Sequence, residues 1–227
     1  MDNKKWVVIL IGPPGSGKGT QADLLAEKFG LFHLETSKII EEKIKQASLD
    51  DKILMREKKI WETGKLNTPE LVLKWTSEKV EEIANRGKGI VFSGSPRTIY
   101  EAEGEMPFFE KLYGRENIKV INIDLSREES VNRNSNRRIC KASRHPIPNF
   151  PEYKGIKTCP KDGSEIITRI LDKPETIVVR YDEYLNRTTP ILDYIGDRGY
   201  MILKIKGEQS IDNVHKDVIN GIMNKES

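Results

Sequence analysis

Short apolar runs alternate with longer amphipathic stretches along most of this chain. Five runs have the continuity typical of strands buried on both faces, at residues 6–11, 31–34, 89–92, 119–125 and 201–205. Apolar residues at helical spacing predict five helices, over 21–28, 71–84, 100–112, 128–138 and 175–195. The alternation predicts an α/β fold of three layers, in which a five-stranded parallel sheet is covered by helices on both faces.

Two segments interrupt the alternation. Residues 37–65 are nearly all helical in pattern and highly charged, and residues 139–172 carry four prolines and both cysteines. We interpret both as insertions into a single domain that spans residues 1–227. The core would then comprise residues 1–35, 67–137 and 173–227, with the insertions at 36–66 and 138–172.

Charge and composition exclude several classes of protein. The 38 basic and 35 acidic residues leave a net charge of +3, so bulk charge indicates neither nucleic acid nor a membrane as a partner. The longest apolar stretch has six residues, too few to span a membrane, and the first residues lack a signal-peptide pattern. We therefore expect a soluble cytoplasmic protein, in which Cys140 and Cys159 are thiols or metal ligands rather than a structural disulfide.

The first apolar run leads directly into a glycine-rich sequence. Residues 12–20 read Gly-Pro-Pro-Gly-Ser-Gly-Lys-Gly-Thr, a variant of the phosphate-binding loop in which the threonine lies one place late. Glycines allow such a loop to surround phosphate oxygens with backbone N–H groups, and the following helix N-terminus adds partial positive charge. The residues predicted to bind a nucleoside triphosphate are Gly15, Ser16, Gly17, Lys18, Gly19 and Thr20.

Four further motifs follow in an order that resembles the adenylate kinase family of nucleoside monophosphate kinases. Thr-Gly-Lys-Leu at 63–66, with Glu-Leu-Val at 70–72, precedes Gly-Ser-Pro-Arg-Thr at 94–98, which looks like the family's Gly-Phe-Pro-Arg-Thr motif. The family's arginine helix before the lid is matched by Arg133, Arg137 and Arg138, and the return from the lid by Arg169, Asp172 and Arg180. The chain resembles a divergent member of the long-lid form over nearly its whole length.

The resemblance implies a P-loop fold in which residues 36–66 bind a nucleoside monophosphate and residues 138–172 form a mobile lid. It implies a monomer that transfers the γ-phosphoryl group of ATP, bound with Mg²⁺, to the monophosphate. The implied catalytic residues are Lys18, Arg97, Arg137, Arg169 and Arg180, and Arg133 would lie over the base of ATP. The implied monophosphate site comprises Thr36, Lys38, Trp61, Lys65, Val72, Gly94, Arg97 and Glu101.

The chemistry explains the number of arginines. Phosphoryl transfer needs two nucleotides in line and neutralisation of the charge on the transferred group, with little covalent work by the protein. The guanidinium group binds phosphate oxygens bidentately and keeps its charge at any working pH. A nucleotide-binding regulatory protein with weak transfer is the alternative from another class, but a pure binder would not need so many cations around the transferred group.

Three positions depart from the family pattern. The family usually has Thr-Gly-Asp followed three residues later by arginine, where this chain has Thr36-Ser37-Lys38 and then Glu41. That aspartate and a second one, at the position of Ser93, hold waters of the magnesium ion in the family. Because groups in the outer shell of a metal typically change affinity or activity by about one or two orders of magnitude, the departures predict altered Mg²⁺ binding or low activity.

The position that reads the acceptor base also departs. Adenylate kinases carry glutamine four residues after the arginine of Pro-Arg-Thr, whereas this chain has Glu101. An ionised carboxylate only accepts hydrogen bonds, which disfavours adenine N1 and suits the adjacent donors of guanine. A protonated Glu101, or one turned to solvent, would restore AMP. AMP is the expected acceptor, with GMP or a pyrimidine monophosphate as the alternatives.

The second insertion contains candidate metal ligands. Many relatives hold zinc there with two pairs of cysteines, whereas others use a hydrogen-bonded polar cluster. Zinc accepts Cys, His and Asp in a tetrahedral structural site, so Cys140, His145, Cys159 and Asp162 could bind it, with Ser143 as a poorer fourth candidate. A metal-free cluster is the alternative.

Overall fold

A five-stranded parallel sheet forms the centre of the computed structural model, which describes residues 4–46, 48, 50–143, 146–147, 153–168 and 170–223. Its strands are β1 (Val7–Ile11), β2 (Phe32–Leu34), β3 (Ile90–Ser93), β4 (Ile118–Asp124) and β8 (Ile202–Lys206), in the order β2-β3-β1-β4-β8. All adjacent pairs are parallel. The predicted α/β fold with a five-stranded parallel sheet is confirmed.

Helices account for most of the remaining structure in the described ranges. They are α1 (Lys18–Phe29), α2 (Thr36–Lys45), α3 (Lys52–Glu62), α4 (Pro69–Asn85), α5 (Ile99–Tyr113), α6 (Arg127–Ser135), α7 (Pro174–Glu183), α8 (Pro190–Asp197) and α9 (Ile211–Met223). A second, antiparallel sheet has the order β6-β5-β7 and consists of β5 (Arg138–Cys140), β6 (Pro146–Ile147) and β7 (Ile166–Ile167). Within the described ranges, none of these helices is long and apolar enough to cross a lipid bilayer.

The apolar core lies in two layers, one on each face of the parallel sheet. Alternate residues of β1 face opposite sides: Val7 and Ile9 pack with α4, α5 and α8, whereas Val8 and Leu10 pack with α1 and α9. Since both faces are covered, β1 is continuously apolar and wholly buried, as the first apolar run predicted.

Two helix predictions need correction, and one helix was not predicted. Residues 128–138 are not one helix, because α6 ends at Ser135 and Arg138 begins β5. Asn134, Ser135 and Asn136 are poor helix formers whose side chains compete for backbone hydrogen bonds. Residues 175–195 are also interrupted, by a π-helical turn at Tyr184–Thr188 between α7 and α8. Finally, α9 was not predicted, although Val214, Val218 and Ile222 have helical spacing and are buried.

The loops that follow β1 and β3 lie side by side. The two strands are paired, with Leu10 opposite Ser93, so their carboxyl ends reach the same edge of the sheet. The glycine loop follows β1, and the Gly-Ser-Pro-Arg-Thr segment follows β3. Ligands of open α/β sheets bind at this edge, and a cleft of about 630 Å³ opens here.

Candidate active site

The glycine loop packs tightly against its neighbours. Gly12 has a φ of 152°, and a Cβ atom there would lie 2.3 Å from the carbonyl oxygen of Ile123. Gly15 has a φ of 80°, and a Cβ atom there would lie 2.5 Å from Nδ2 of Asn134. Because no side chain fits at either position, glycine is required for the loop to hold this path between β1 and α1.

Lys18, the first residue of α1, folds back over this loop. Its Nζ donates to the carbonyl oxygens of Gly12 at 2.6 Å and Pro13 at 2.8 Å, and to Oγ of Ser16 at 3.2 Å. Its ammonium group therefore lies over the glycine loop at the N-terminus of α1, an arrangement that suits a phosphate group.

Three arginines line the same cleft as Lys18 and complete a cation cluster, defined here as Lys18, Arg97, Arg137 and Arg180. Burial, followed by the charges of the three arginines, holds the pKa of Lys18 well below its ordinary value. Burial also lowers the pKa of Arg97. Four positive groups around one cleft of about 630 Å³ create a strongly favourable site for an anion.

Asp172 holds two arginines of the cation cluster in place. Its buried carboxylate accepts from Nε of Arg137 at 2.8 Å and also pairs with Nη2 of Arg137. Nη1 of Arg180 donates to the same carboxylate at 3.4 Å and to the carbonyl oxygen of Leu171 at 3.2 Å. One carboxylate therefore orients two guanidinium groups. The sequence analysis had noted Asp172 as part of a motif but not this function.

Glu101 also lines the cleft, in the first turn of α5. It is only 2% exposed, so it is not turned to solvent. Its carboxylate accepts from the backbone N–H of Arg97 at 2.8 Å and from Oγ1 of Thr98 at 3.0 Å, while Thr98 caps the helix by accepting from the N–H of Glu101 at 3.2 Å. This N-terminal cap fixes the carboxyl group where Glu101 lines the cleft.

A second buried acid lies one helical turn further along α5. Glu105 is 1% exposed, and Ser95 lies between the two carboxyl groups, with its Oγ 3.1 Å from Oε2 of Glu101 and 2.7 Å from Oε1 of Glu105. We call Glu101 and Glu105 the carboxyl pair. Burial raises the pKa of both, and burial together with the negative charge of Glu101 raises that of Glu105 to about 8. The sequence did contain a signal for a buried acid, because Glu105 lies among the apolar residues Ala102, Met106 and Phe109 of the predicted helix. The sequence analysis did not use it.

Ser93, which occupies the position of a family aspartate, is part of a hydrogen-bonded chain. Its Oγ lies 2.6 Å from Nε2 of His33, and Nδ1 of His33 lies 2.7 Å from Oδ1 of Asp23. An ionised carboxylate only accepts, so Nδ1 of His33 donates to Asp23, and a neutral imidazole then accepts from the hydroxyl of Ser93 at Nε2. In that case both lone pairs of the Ser93 oxygen can accept hydrogen bonds from other donors. Nζ of Lys38, another of the departures, lies 3.4 Å from a carboxylate oxygen of Glu35.

Nearly all the predicted nucleotide-binding residues meet at this one cleft. Ser16 is buried beneath Lys18 in the loop, and Arg169 lies outside the described residues. The predicted residues that line the cleft are Gly15, Gly17, Lys18, Gly19, Thr20, Thr36, Lys38, Trp61, Lys65, Val72, Gly94, Arg97, Glu101, Arg133, Arg137 and Arg180. Residues from six separate segments of the chain therefore share one site.

The two cysteines of the second insertion also lie together. The sulfur atoms of Cys140 and Cys159 and a carboxylate oxygen of Asp162 are all within 4.8 Å of one another. Sγ of Cys140 donates to Oδ2 of Asp162 at 3.3 Å, and Ser143 also hydrogen-bonds to that carboxylate. Burial raises the pKa of Cys159. The fourth predicted ligand, His145, lies outside the described residues.

A phosphate loop that faces arginines from three other segments, on a five-stranded parallel sheet, defines a phosphotransferase of the nucleoside monophosphate kinase class. Comparison with known proteins agrees. The family model described as adenylate kinase matches residues 10–200. Proteins named adenylate kinase are similar: one of Caldicellulosiruptor bescii is 33% identical over 95% of this chain and 98% of its own length, and one of Staphylococcus epidermidis is 36% identical over 94% and 97%.

A protein of Methanothrix thermoacetophila, also named adenylate kinase, is 34% identical over 96% of this chain and 98% of its own length. The chain belongs to the adenylate kinase family. It is an ATP-dependent nucleoside monophosphate kinase, and the predicted resemblance is confirmed.

Proposed function

We propose that this protein transfers the γ-phosphoryl group of ATP to AMP, giving two molecules of ADP. The observation that carries the proposal is the cation cluster, because four fixed positive groups suit the charge that spreads over a transferred phosphoryl group. The names of the relatives favour AMP as the acceptor.

In the proposed complex, the loop amides and Lys18 hold the triphosphate, and Arg133 covers its base. Arg97 binds the phosphate of AMP, and Arg137 and Arg180 surround the transferred group, with Arg169 as the further arginine that the sequence motif supplies. Thr36 supports this arrangement, since its buried Oγ1 has no hydrogen-bond partner among the described residues and the side chain lines the cleft. A phosphate oxygen would satisfy that hydroxyl group.

We also propose that residues 36–66 enclose AMP and that residues 138–172 close over ATP as a lid. Trp61 and Lys65 of the first segment and Ile139 and Ser143 of the second all line the cleft, which supports this arrangement. Closure would exclude water that would otherwise hydrolyse ATP.

Mg²⁺ enters as part of the ATP substrate, where it neutralises charge on the β- and γ-phosphates. The chemistry of the donors in the cleft fits this ion, because Mg²⁺ prefers oxygen ligands and keeps several waters. Thr20, Asp23 and Ser93 present such oxygens. The hydrogen bond to His33 leaves the oxygen of Ser93 free to accept from a magnesium-bound water, which would offset part of the loss of the family's aspartate.

We propose that the cluster of Cys140, Cys159 and Asp162 holds a structural zinc ion. Two thiols and a carboxylate within 4.8 Å are donors that zinc accepts. Metal analysis should give about one zinc per chain, and chelation should lower the melting temperature, because structural zinc contributes folding free energy. The Cys159→Ser variant should lose both the metal and the response to chelator. A metal-free protein whose melting temperature ignores the chelator would contradict the proposal and leave a hydrogen-bonded cluster.

A coupled assay of ATP with AMP, GMP, CMP and UMP tests the main proposal. We expect the highest kcat/KM with AMP. Preference for GMP would instead indicate that Glu101 reads the base as an ionised acceptor. Tight nucleotide binding without turnover of any of the four would indicate a regulatory protein.

A further inference from the structure

The carboxyl pair makes more hydrogen-bond contacts than the hydroxyl protons of Ser95 and Thr76 can supply. The hydroxyl of Ser95 has one proton, yet it lies within hydrogen-bond distance of both Glu101 and Glu105. The hydroxyl of Thr76 likewise has one proton, and it lies 2.8 Å from both the carbonyl oxygen of Val72 and Oε1 of Glu105. Since a carbonyl oxygen and an ionised carboxylate only accept, a proton on the carboxyl pair is needed to make a further contact a hydrogen bond.

The surroundings assign that proton to Glu105 in the free protein. Glu101 receives the N–H of Arg97, the hydroxyl of Thr98 and the positive charge of Arg97, all of which favour its ionised form. Glu105 contacts only the two hydroxyl groups of Thr76 and Ser95 among the described residues, and its Oε2 has no partner there. Burial and the charge of Glu101 raise the pKa of Glu105 to about 8, which agrees with this assignment.

We propose that Glu105, Ser95 and Glu101 form a proton relay that lets the carboxyl group of Glu101 read adenine. The inference rests on AMP as the acceptor, which is part of the proposed function. In the free protein, Glu105 donates to Ser95, and Ser95 donates to ionised Glu101. When AMP binds, the O–H bond of Glu105 breaks as a new one forms at Ser95 Oγ, and the original O–H of Ser95 breaks as one forms on Glu101.

The relay conserves atoms and charge. Glu105 becomes the carboxylate, stabilised by donors from Ser95 and Thr76, and Glu101 becomes the neutral acid. Rotation about its Cγ–Cδ bond then presents the hydroxyl of Glu101 to N1 of adenine, which is an acceptor. A base with two adjacent donors would instead leave the proton on Glu105. The site therefore supplies the proton that adenine requires without taking one from solution.

Proton linkage to AMP binding tests the relay. Titration calorimetry at pH 7 in two buffers of different ionisation enthalpy, PIPES and Tris, gives the number of protons taken up. Wild-type protein should take up almost none per AMP. Glu105→Gln removes the stored proton, so this variant should take up nearly one proton per AMP and bind AMP about tenfold or more weakly relative to GMP. Glu103→Gln, an exposed position on α5, is the matched control and should behave as wild type.

Infrared spectroscopy provides a second readout that does not depend on turnover. The free protein at pH 7 should show the carbonyl band of a protonated carboxyl group, and Glu105→Gln should lack it. With AMP the band should shift without disappearing, because the proton moves and is not lost. If Glu105→Gln keeps the band, or if it binds AMP with wild-type proton uptake and selectivity, the relay is overturned. If wild type shows the band but does not phosphorylate AMP, the proposed function alone is wrong.

Discussion

The cleft contains two clusters of like charge, and they are stabilised in opposite ways. The cation cluster is partly neutralised by a fixed carboxylate, Asp172, and its remaining charge needs an anion from outside. In the carboxyl pair, a proton on Glu105 removes the repulsion between the two acids. Guanidinium groups cannot release a proton at working pH, whereas carboxyl groups readily bind one. The comparison teaches that the first cluster suits an anion such as phosphate, whereas a change of proton position would let the second adapt to its ligand.

Removing the lysine should have the largest effect on the cation cluster. We expect Lys18→Ala to reduce kcat by about three orders of magnitude or more, the scale on which one cation stabilises a transferred phosphoryl group. The fold should survive, because within the described part of the chain the ammonium group of Lys18 hydrogen-bonds only to its own loop. Steady-state kinetics and a thermal melt measure both effects. Lys28→Ala, an exposed position on α1, should change neither; a Lys18→Ala enzyme with wild-type turnover would refute the phosphate-loop assignment.

Arg97 should separate the two substrates. Truncating one partner of a desolvated charge pair typically costs about 2–5 kcal/mol, so Arg97→Ala should raise the KM for AMP by roughly 30-fold to more than 1000-fold. The KM for ATP should change far less, because Arg97 lies on the loop after β3 near Thr36 and Glu101. Arg86→Ala, which removes an exposed ion pair with Glu82, serves as the control. Equal increases for both substrates would mean that Arg97 does not bind the acceptor.

Asp172 should act through the arginines that it orients. Asp172→Asn keeps the size of the side chain but removes the charge and one acceptor, so Arg137 and Arg180 would lose their shared partner. Small displacements of catalytic groups can cost about 10²-fold, and we expect a loss of that order in kcat with a smaller change in KM. Asp182→Asn breaks a partly exposed ion pair between Asp182 on α7 and Arg127 on α6, and should leave kcat unchanged. A similar loss in both variants would argue against a positioning role.

The smallest expected effect concerns stability and the carboxyl pair. Folded protein keeps the proton of Glu105 up to pH about 8, whereas an unfolded glutamate loses it near pH 4.5. Between those values the folded state holds more protons, so its free energy of unfolding falls as the pH rises, by up to about 1.4 kcal/mol per pH unit from this group. Urea unfolding between pH 5 and pH 8 should therefore show Glu105→Gln gaining stability relative to wild type as the pH rises.

Glu57 provides the opposite case for the same measurement. It is also fully buried, but it accepts from Thr68, Asn67 and Arg56, and these hydrogen bonds lower its pKa despite burial. Its contribution to stability is present above its unfolded pKa and is lost as the pH falls through the folded one. Glu57→Gln should therefore be destabilised most at neutral pH and least in acid. If both variants respond to pH with the same sign, the distinction between a paired and a protonated buried acid is wrong.

The sequence predicted the features that depend on local pattern. The five strands, the glycine loop and most cleft residues follow from continuous apolar runs and from motifs with fixed spacing. What could not be predicted depends on contacts between distant segments. Asp172 meets Arg137 across 35 positions of the chain, and Ser93 meets His33 across 60. The end of α6 was also missed, because apolar spacing says little about a helix whose last turn contains Asn134, Ser135 and Asn136.

The π-helical turn at Tyr184–Thr188 has a consequence for how much this segment can vary in length. Its wider turn contains one residue more than an α-helical turn would. Oγ1 of Thr188 donates to the carbonyl oxygen of Arg97 at 2.9 Å, and Ile191 and Ile195 of α8 are fully buried behind it. Deleting one residue here would restore a regular helix but rotate everything that follows by about 100°. Because α8 must keep its buried side turned toward the core, the number of residues between Arg180 and the core is fixed. The identity of exposed Leu185, by contrast, is free to change.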